Sequence, residues 1–286
     1  MQIQIESFFH KATSTFSHVI ADPDSRQAAI IDPVLDFDYK SGRTSTESAD
    51  QLVAWLEENG YQAEWVLETH AHADHLTASM YLRGKLGAKI GIGEGITSVQ
   101  KTFAKVFNFA DDFRTDGSQF DHLFRDNEEI RIGTIVGRVM HTPGHTNDSV
   151  TYLFADAAFV GDTMFMPDFG TGRCDFPGGD ARLLYQSIQK IYQLPDETRV
   201  FLCHDYPPAS REETCMTTIL DEKQHNIHIN ASSNIDEFVR MREARDAQLA
   251  MPALILPSIQ VNIRAGEMPE REDNGISYLK LPLDQF

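Results

Sequence analysis

The chain has 286 residues, 41% of them hydrophobic, enough to build a full apolar core in one large domain or two small ones. Lysine and arginine number 25 against 43 aspartates and glutamates, and the net charge of −18 argues against nucleic acid and against anionic membrane surfaces as partners. Cys174, Cys203 and Cys215 lack CxxC spacing and read as reduced thiols, and the absence of a secretory leader or a membrane-length apolar run gives the expectation of a cytoplasmic protein.

Near the N-terminus, Ser17-His18-Val19-Ile20 and residues 28–32 read as hairpin strands around the turn Asp22-Pro23-Asp24-Ser25. Asp32, at a strand end, reads equally well as a turn former before Pro33 and as a support for a metal site from behind. Ala49, Leu52, Val53 and Leu56 share one helical face, stopped by Asn59-Gly60. Trp65-Val66-Leu67 is a short apolar strand, and Leu76, Met80 and Leu86 carry helical spacing beyond it. Between them lies Thr69-His70-Ala71-His72-Ala73-Asp74-His75. Imidazole and carboxylate are the usual ligands of Zn²⁺, Fe²⁺ and Mn²⁺, and a strand-to-helix loop is where such groups act.

Residues 88–92 read as the next strand, and residues 100–127 as a long, polar, irregular surface connection. Ile130-Arg131-Ile132 and Ile135-Val136-Gly137-Arg138-Val139 alternate like antiparallel strands. Three further motifs follow: His141-Thr142-Pro143-Gly144-His145-Thr146, then Phe159-Val160-Gly161-Asp162-Thr163, then Phe201-Leu202-Cys203-His204-Asp205-Tyr206. The last two are apolar strands that end in Gly-Asp and His-Asp. Asp180 reads as the N-cap of a helix marked by Leu184, Ile188 and Ile191. Residues 211–231 are helical in composition, and Asn234 with Glu237 predicts a capping box opening a helix that buries Ile235, Phe238 and Val239. Residues 253–261 read as a strand.

HxHxDH, TPGHT, GDT and a late strand-end histidine, in that order, resemble the metallo-β-lactamase fold superfamily over residues 1–210. The resemblance implies an α/β fold (α+β in some schemes): a four-layer αββα sandwich with helices outside two packed sheets. It implies one domain over residues 1–286, with 211–286 a C-terminal helical and strand extension packed on it. The ligand set serves two chemistries. In a dinuclear hydrolase His70, His72 and His145 hold one ion, Asp74, His75 and His204 the other, and Asp162 bridges. In a mononuclear iron oxygenase two histidines and one carboxylate suffice, with positions left for substrate and O₂. Counting ligands does not decide between them.

Phe169-Gly170-Thr171-Gly172-Arg173-Cys174-Asp175-Phe176-Pro177 together with His204-Asp205-Tyr206 is similar to the persulfide dioxygenase branch, also called ethylmalonic-encephalopathy-protein-like or sulfur dioxygenase. Arg211-Glu212-Glu213-Thr214 and Val261-Asn262-Ile263-Arg264-Ala265-Gly266 resemble its bacterial subgroup. This resemblance implies one Fe²⁺ per chain on His70, His145 and Asp162. It implies that His72, Asp74, His75 and His204 act as hydrogen-bonding groups without a second ion. Arg173 would grip a carboxylate of glutathione, Tyr206 would orient substrate or oxygen, and the Cys174 thiol beside Arg173 would meet persulfide. The implied reaction oxidises glutathione persulfide with O₂ and water to sulfite and glutathione, and the resemblance implies a homo-dimer or tetramer. A dinuclear zinc thioester hydrolase of the glyoxalase II type and a non-enzymatic cysteine-based persulfide sensor are the alternatives.

Overall fold

The structure is a computed structural model that describes residues 3–110 and 112–285. The N-terminal half runs β1 (Gln4–His10), β2 (Thr15–Ala21), β3 (Gln27–Ile31), β4 (Val34–Asp38), β5 (Arg43–Ser45), α1 (Glu47–Asn59), β6 (Gln62–Leu67), β7 (Leu76–Thr77), α2 (Ser79–Leu86), β8 (Lys89–Gly93), α3 (Ile96–Val106) and β9 (His122–Phe124). The C-terminal half runs β10 (Glu129–Ile132), β11 (Ile135–His141), β12 (Val150–Phe154), β13 (Ala157–Phe159), a 3₁₀ turn at Gly161–Thr163, α4 (Ala181–Ile191), β14 (Arg199–Phe201), β15 (Met216–Thr218), α5 (Ile219–His225), α6 (Ile235–Asp246) and α7 (Ile255–Asn262). One sheet has the order β1-β2-β3-β6-β8-β9, the other β10-β11-β12-β13-β14-β15, and β5-β4-β7 form a small third sheet. In the first sheet, β3, β6, β8 and β9 pair in parallel, as strands joined through helices must.

Alternation along the strands creates the layers. Val19, Ile30 and Val66 point into a core shared with Leu52, Leu56, Leu82 and Ile259 of the helices. Their neighbours Ile20, Ile31 and Leu67 point the other way, onto Tyr152, Phe154 and Phe159 of the second sheet. A third core joins Val160, Val200 and Leu202 to Leu184, Ile188 and Phe238. The result is the four-layer αββα sandwich that the motifs imply. A strand buried on both faces reads as an unbroken apolar run, and each such side chain stabilises by about 1.5–3 kcal/mol. Among the described residues no helix is long and apolar enough to cross a membrane.

Five expectations change. The irregular reading of residues 100–127 misses α3, whose Ile96, Val99 and Phe103 form a buried stripe on a helix otherwise polar outside. Residues 253–261 are not a strand: α7 buries Ile255, Ser258, Ile259 and Asn262 at helical spacing, and Pro257 sits in the first turn, where a missing N–H breaks no bond. Residues 211–231 hold only one short helix, α5, preceded by β15. Asn234 caps α6 by accepting from the N–H groups of Asp236 and Glu237, but the Glu237 side chain makes no return bond among the described residues. The apolar spacing at residues 76–86 also starts early, since Leu76 belongs to β7 and α2 begins at Ser79.

Candidate metal centre

The chemistry-bearing motifs lie just beyond the ends of β6, β11, β13 and β14, and the two packed sheets bring those ends together. His70, His145 and Asp162 place one ligand atom each within 4.8 Å of one another, as do His72, Asp74, His75 and His204. Asp162 joins the two groups. Its Oδ2 lies 3.6 Å from His145 Nε2 and 3.9 Å from His70 Nε2, and its Oδ1 lies 3.4 Å from His204 Nε2. Asp74 lies 3.0 Å from His204 Nε2 and 3.4 Å from His75 Nδ1.

Backbone geometry makes this convergence possible. Gly161 has φ +54°, and a Cβ there would stand 2.5 Å from Thr69 Oγ1, so only glycine lets Asp162 come beside His70. A Cβ on Gly172 would collide with the backbone oxygen of Asp162. These two contacts explain Gly161 of the GDT motif and Gly172 of the GxGR motif.

Supporting groups fix the tautomers. His145 Nδ1 donates to the carbonyl of Arg173 at 2.7 Å, which leaves the Nε2 lone pair for a ligand. Asp32 accepts from Thr69 N at 2.7 Å, from Thr69 Oγ1 at 2.8 Å and from His72 Nε2 at 3.0 Å. The Asp32 carboxylate can only accept, so the neutral His72 ring carries its proton on Nε2. With that proton on Nε2, Nδ1 of His72 carries the free lone pair. Asp32 itself sits at φ +51°, pinned by Ser17 Oγ donating to its carbonyl at 2.7 Å. It is the support from behind that its strand-end position suggested.

The donor atoms that remain are orphaned. His70 Nε2, His72 Nδ1, both nitrogens of His75, Asp74 Oδ2, Asp162 Oδ1 and His204 Nε2 are buried without a hydrogen-bond partner. Buried polar atoms are normally satisfied, and orphans aimed at a common centre fit a cation. Burial, reinforced by the neighbouring imidazoles, pushes His70 far below its ordinary pKa, and burial takes His75 down to about 4, so both rings are neutral as metal ligands must be.

A cavity of about 1010 Å³ opens over this cluster, with His145 and Asp162 in its wall. Tyr206 lines it, its ring parallel to that of His204 at 5.8 Å and tilted against Phe169 at 4.9 Å. Arg173 lines it too, but its guanidinium is engaged. Nε and Nη2 fork onto Asp175 at 2.6 Å each, and Nη1 donates to the carbonyl of Ala250 at 2.7 Å. Cys174 departs from expectation: it faces the core with Met140 and Leu184, outside the cavity wall, and burial with the nearby Asp246 charge pushes its thiol well up. Such a thiol is a packing group rather than a nucleophile. Cys203 is buried, as its apolar strand predicts, and lies beside His72 and Asp32.

Several supporting residues carry no motif of their own. Glu68 lies 3.4 Å from His72 and accepts from Thr77 and Ser79. Asp148 accepts from Ala71 N at 2.8 Å, tying the metal loop to the TPGHT turn. Arg242 and Asp246 of α6 are buried as an ion pair. Arg242 donates to the carbonyl of Thr171 at 3.1 Å, and Asp246 accepts from Cys174 N at 2.8 Å, so α6 holds the GxGR loop. Arg211 forks onto Asp205 at 2.6 and 2.8 Å, and Thr214 N donates to it at 2.8 Å. The RxxT stretch therefore braces the strand end that carries His204.

A family model described as Metallo-beta-lactamase superfamily matches residues 11–204. The Dictyostelium discoideum protein called Glyoxylase B2 is 52% identical, over 98% of this chain and 97% of its own. The human mitochondrial persulfide dioxygenase ETHE1 is 30% identical, over 92% of this chain and 89% of its own. The crystal structure of ETHE1 from Myxococcus xanthus has the same fold, with a TM-score of 0.74 and 32% identity over 92% of this chain and all of the other.

Proposed function

The chain belongs to the metallo-beta-lactamase superfamily, and from that footing we propose that it is a non-haem iron persulfide dioxygenase acting on glutathione persulfide. The reaction takes the persulfide, O₂ and water to sulfite and glutathione. The terminal sulfur is oxidised from the sulfane level to sulfite, O₂ accepts the electrons, and water supplies the remaining oxygen and the protons.

One observation carries the reading. Two imidazoles and one carboxylate, His70, His145 and Asp162, converge from three separate strand ends beside a ligand-sized cavity. This is the donor set of a facial triad, which leaves part of an ion's shell for substrate and O₂. Ferrous iron held there would supply the electron chemistry of sulfur oxidation. The protein's own part is orientation and exclusion of water. The Arg173 carbonyl holds His145, Asp32 holds Thr69 and through it His70, and Phe165, Phe169 and Tyr206 wall the cavity. The similarity to human persulfide dioxygenase across most of both chains supports the same reading.

A second reading rests on the orphaned atoms of His72, Asp74, His75 and His204. They are donors enough for a second ion, as a dinuclear zinc thioester hydrolase needs, and the relative named Glyoxylase B2 belongs with it. A cysteine-based sensor finds no support in the buried Cys174. Metal content of protein purified without added metal separates the first two. About one iron per chain with little zinc is expected. About two zinc per chain, with hydrolysis of S-lactoylglutathione, would replace the proposal with the hydrolase.

A further inference from the structure

The carboxyl group of Glu222 is fully buried and lies outside the metal centre, on the short helix α5. Its Oε2 accepts from Asn226 Nδ2 at 2.6 Å, and its Oε1 has no hydrogen-bond partner among the described residues. The charges that act on it, Asp221 on the same helix and Asp168 ahead of the GTGR loop, are both negative. Nearby cations are engaged elsewhere: Lys223 with Asp196, His225 with Asp221 and Arg211 with Asp168. Tyr192 of α4 donates to main-chain carbonyls, that of Ile229 at 2.8 Å and that of Glu222 at 3.2 Å, and not to the carboxyl group.

One side chain links this carboxyl group to the loop. Asn226 Nδ2 also donates to the carbonyl of Gly170 at 3.1 Å, while its Oδ1 accepts from His228 N at 3.0 Å and Ile229 N at 3.1 Å. His228 Nδ1 in turn accepts from Thr171 N at 3.0 Å, and burial takes that ring down to about 4, so it is neutral and able to accept. Gly170 sits at φ +102°, where a Cβ would stand 2.1 Å from His228 Nδ1. The next two residues of GTGR touch the centre. Gly172 lies against the backbone oxygen of Asp162, and the Arg173 carbonyl accepts from His145 Nδ1 at 2.7 Å.

A buried carboxylate with one donor and no cation is costly, whereas the uncharged acid carries no such penalty. Burial accordingly pushes the Glu222 pKa up to about 8. We propose that Glu222 is a positioning residue of the metal centre: through Asn226 it holds the GTGR loop against Asp162 and His145, and it does so as the uncharged acid. When the loop loosens and water reaches the carboxyl group, the group ionises as an ordinary glutamate does, near 4.5. The loosened form therefore gains on the held form as pH rises from about 4.5 to about 8, and above that both are ionised and the gain stops. This clamp serves the loop whichever ion and reaction the centre supports.

Hydrogen exchange of the backbone amides of residues 166–174 in the metal-loaded protein, corrected for the intrinsic rate, reads the loop directly. Wild-type protection should fall about tenfold or more between about pH 5 and about pH 8. Glu222→Gln keeps an acceptor for Asn226 and cannot ionise, so its protection should stay level. Asn226→Ala should lower protection at every pH and flatten the slope, because the carboxyl group then has no route to Gly170. At about pH 8, metal should pass to a chelator faster from wild-type protein than from Glu222→Gln. Parallel falls in wild-type protein and Glu222→Gln would overturn the role of the carboxyl group. Unchanged protection in Asn226→Ala would overturn the route to the loop, and equal rates of metal loss from wild-type protein and Glu222→Gln would overturn the link to the centre.

Discussion

Asn262, in the last turn of α7, donates its side-chain amide to the backbone oxygen of His72 at 2.7 Å. The same nitrogen reaches the carbonyl of His75 at 2.8 Å, and Asn262 Oδ1 accepts from Thr77 N at 2.9 Å. One buried side chain from the C-terminal segment thus clasps the metal loop along its length. Asn262→Ala should remove all three bonds and leave buried backbone groups unsatisfied, at about 1–3 kcal/mol of stability. Metal affinity should fall about tenfold or more, because the loop that aims the histidines loses its clamp. Competition with a chelator, followed alongside thermal melting, separates the two effects.

Asp32→Asn probes the brace behind His70. Oδ1 of Asp32 accepts from both Thr69 N and His72 Nε2, so the asparagine keeps its oxygen there and turns its amide nitrogen to Thr69 Oγ1, which loses the acceptor that orients it toward His70 Nδ1. The expected result is about a tenfold loss of metal affinity. An unchanged affinity would show that the Thr69 brace does not govern the centre.

Arg242 and Asp246 form a fully buried pair, with Arg242 Nε donating to Asp246 Oδ1 at 2.9 Å. Arg242→Met should leave Asp246 charged and unpaired, at a loss of about 3–5 kcal/mol. The double variant Arg242→Met/Asp246→Leu should recover much of that loss in denaturant melts. It should stay impaired in turnover, since Thr171 and Cys174 lose their anchors.

His18 is fully buried and its pKa is pushed down to about 4, chiefly by burial against the bond to the Leu202 carbonyl. The folded protein therefore binds this proton more weakly than the unfolded chain does. The contribution is present above the unfolded value of about 6.5 and is lost as pH falls from there toward about 4. Full protonation would remove about 3 kcal/mol. Denaturant melts across that window should show the slope, and His18→Asn should flatten it.

The metal loop was legible because its chemistry is written in residue identity: HxHxDH, GDT and the strand-end His204 need no long-range information. The hairpin and α1 were legible for a similar reason, since turn residues and one-sided apolar spacing are local signals. The supports were not. Asn262 meets His72 across 190 positions, and nothing in an isolated asparagine announces that contact. The run around α7 read as a strand because a helix packed on most sides loses its polar face, and with it the 3.6-residue period. The Arg173 side chain was read from motif alone, and only the folded chain brings Ala250 to it. The charged surroundings of Cys174 likewise depend on Asp246, which arrives from α6.

The activity proposed for this centre is oxidation of sulfur by O₂. An oxygen electrode, read with parallel sulfite determination, tests it most directly on ferrous-iron-loaded protein supplied with glutathione persulfide. O₂ uptake with one sulfite formed per O₂ consumed is expected, and its loss in His70→Ala. No O₂ uptake by iron-loaded protein that holds its metal would contradict it.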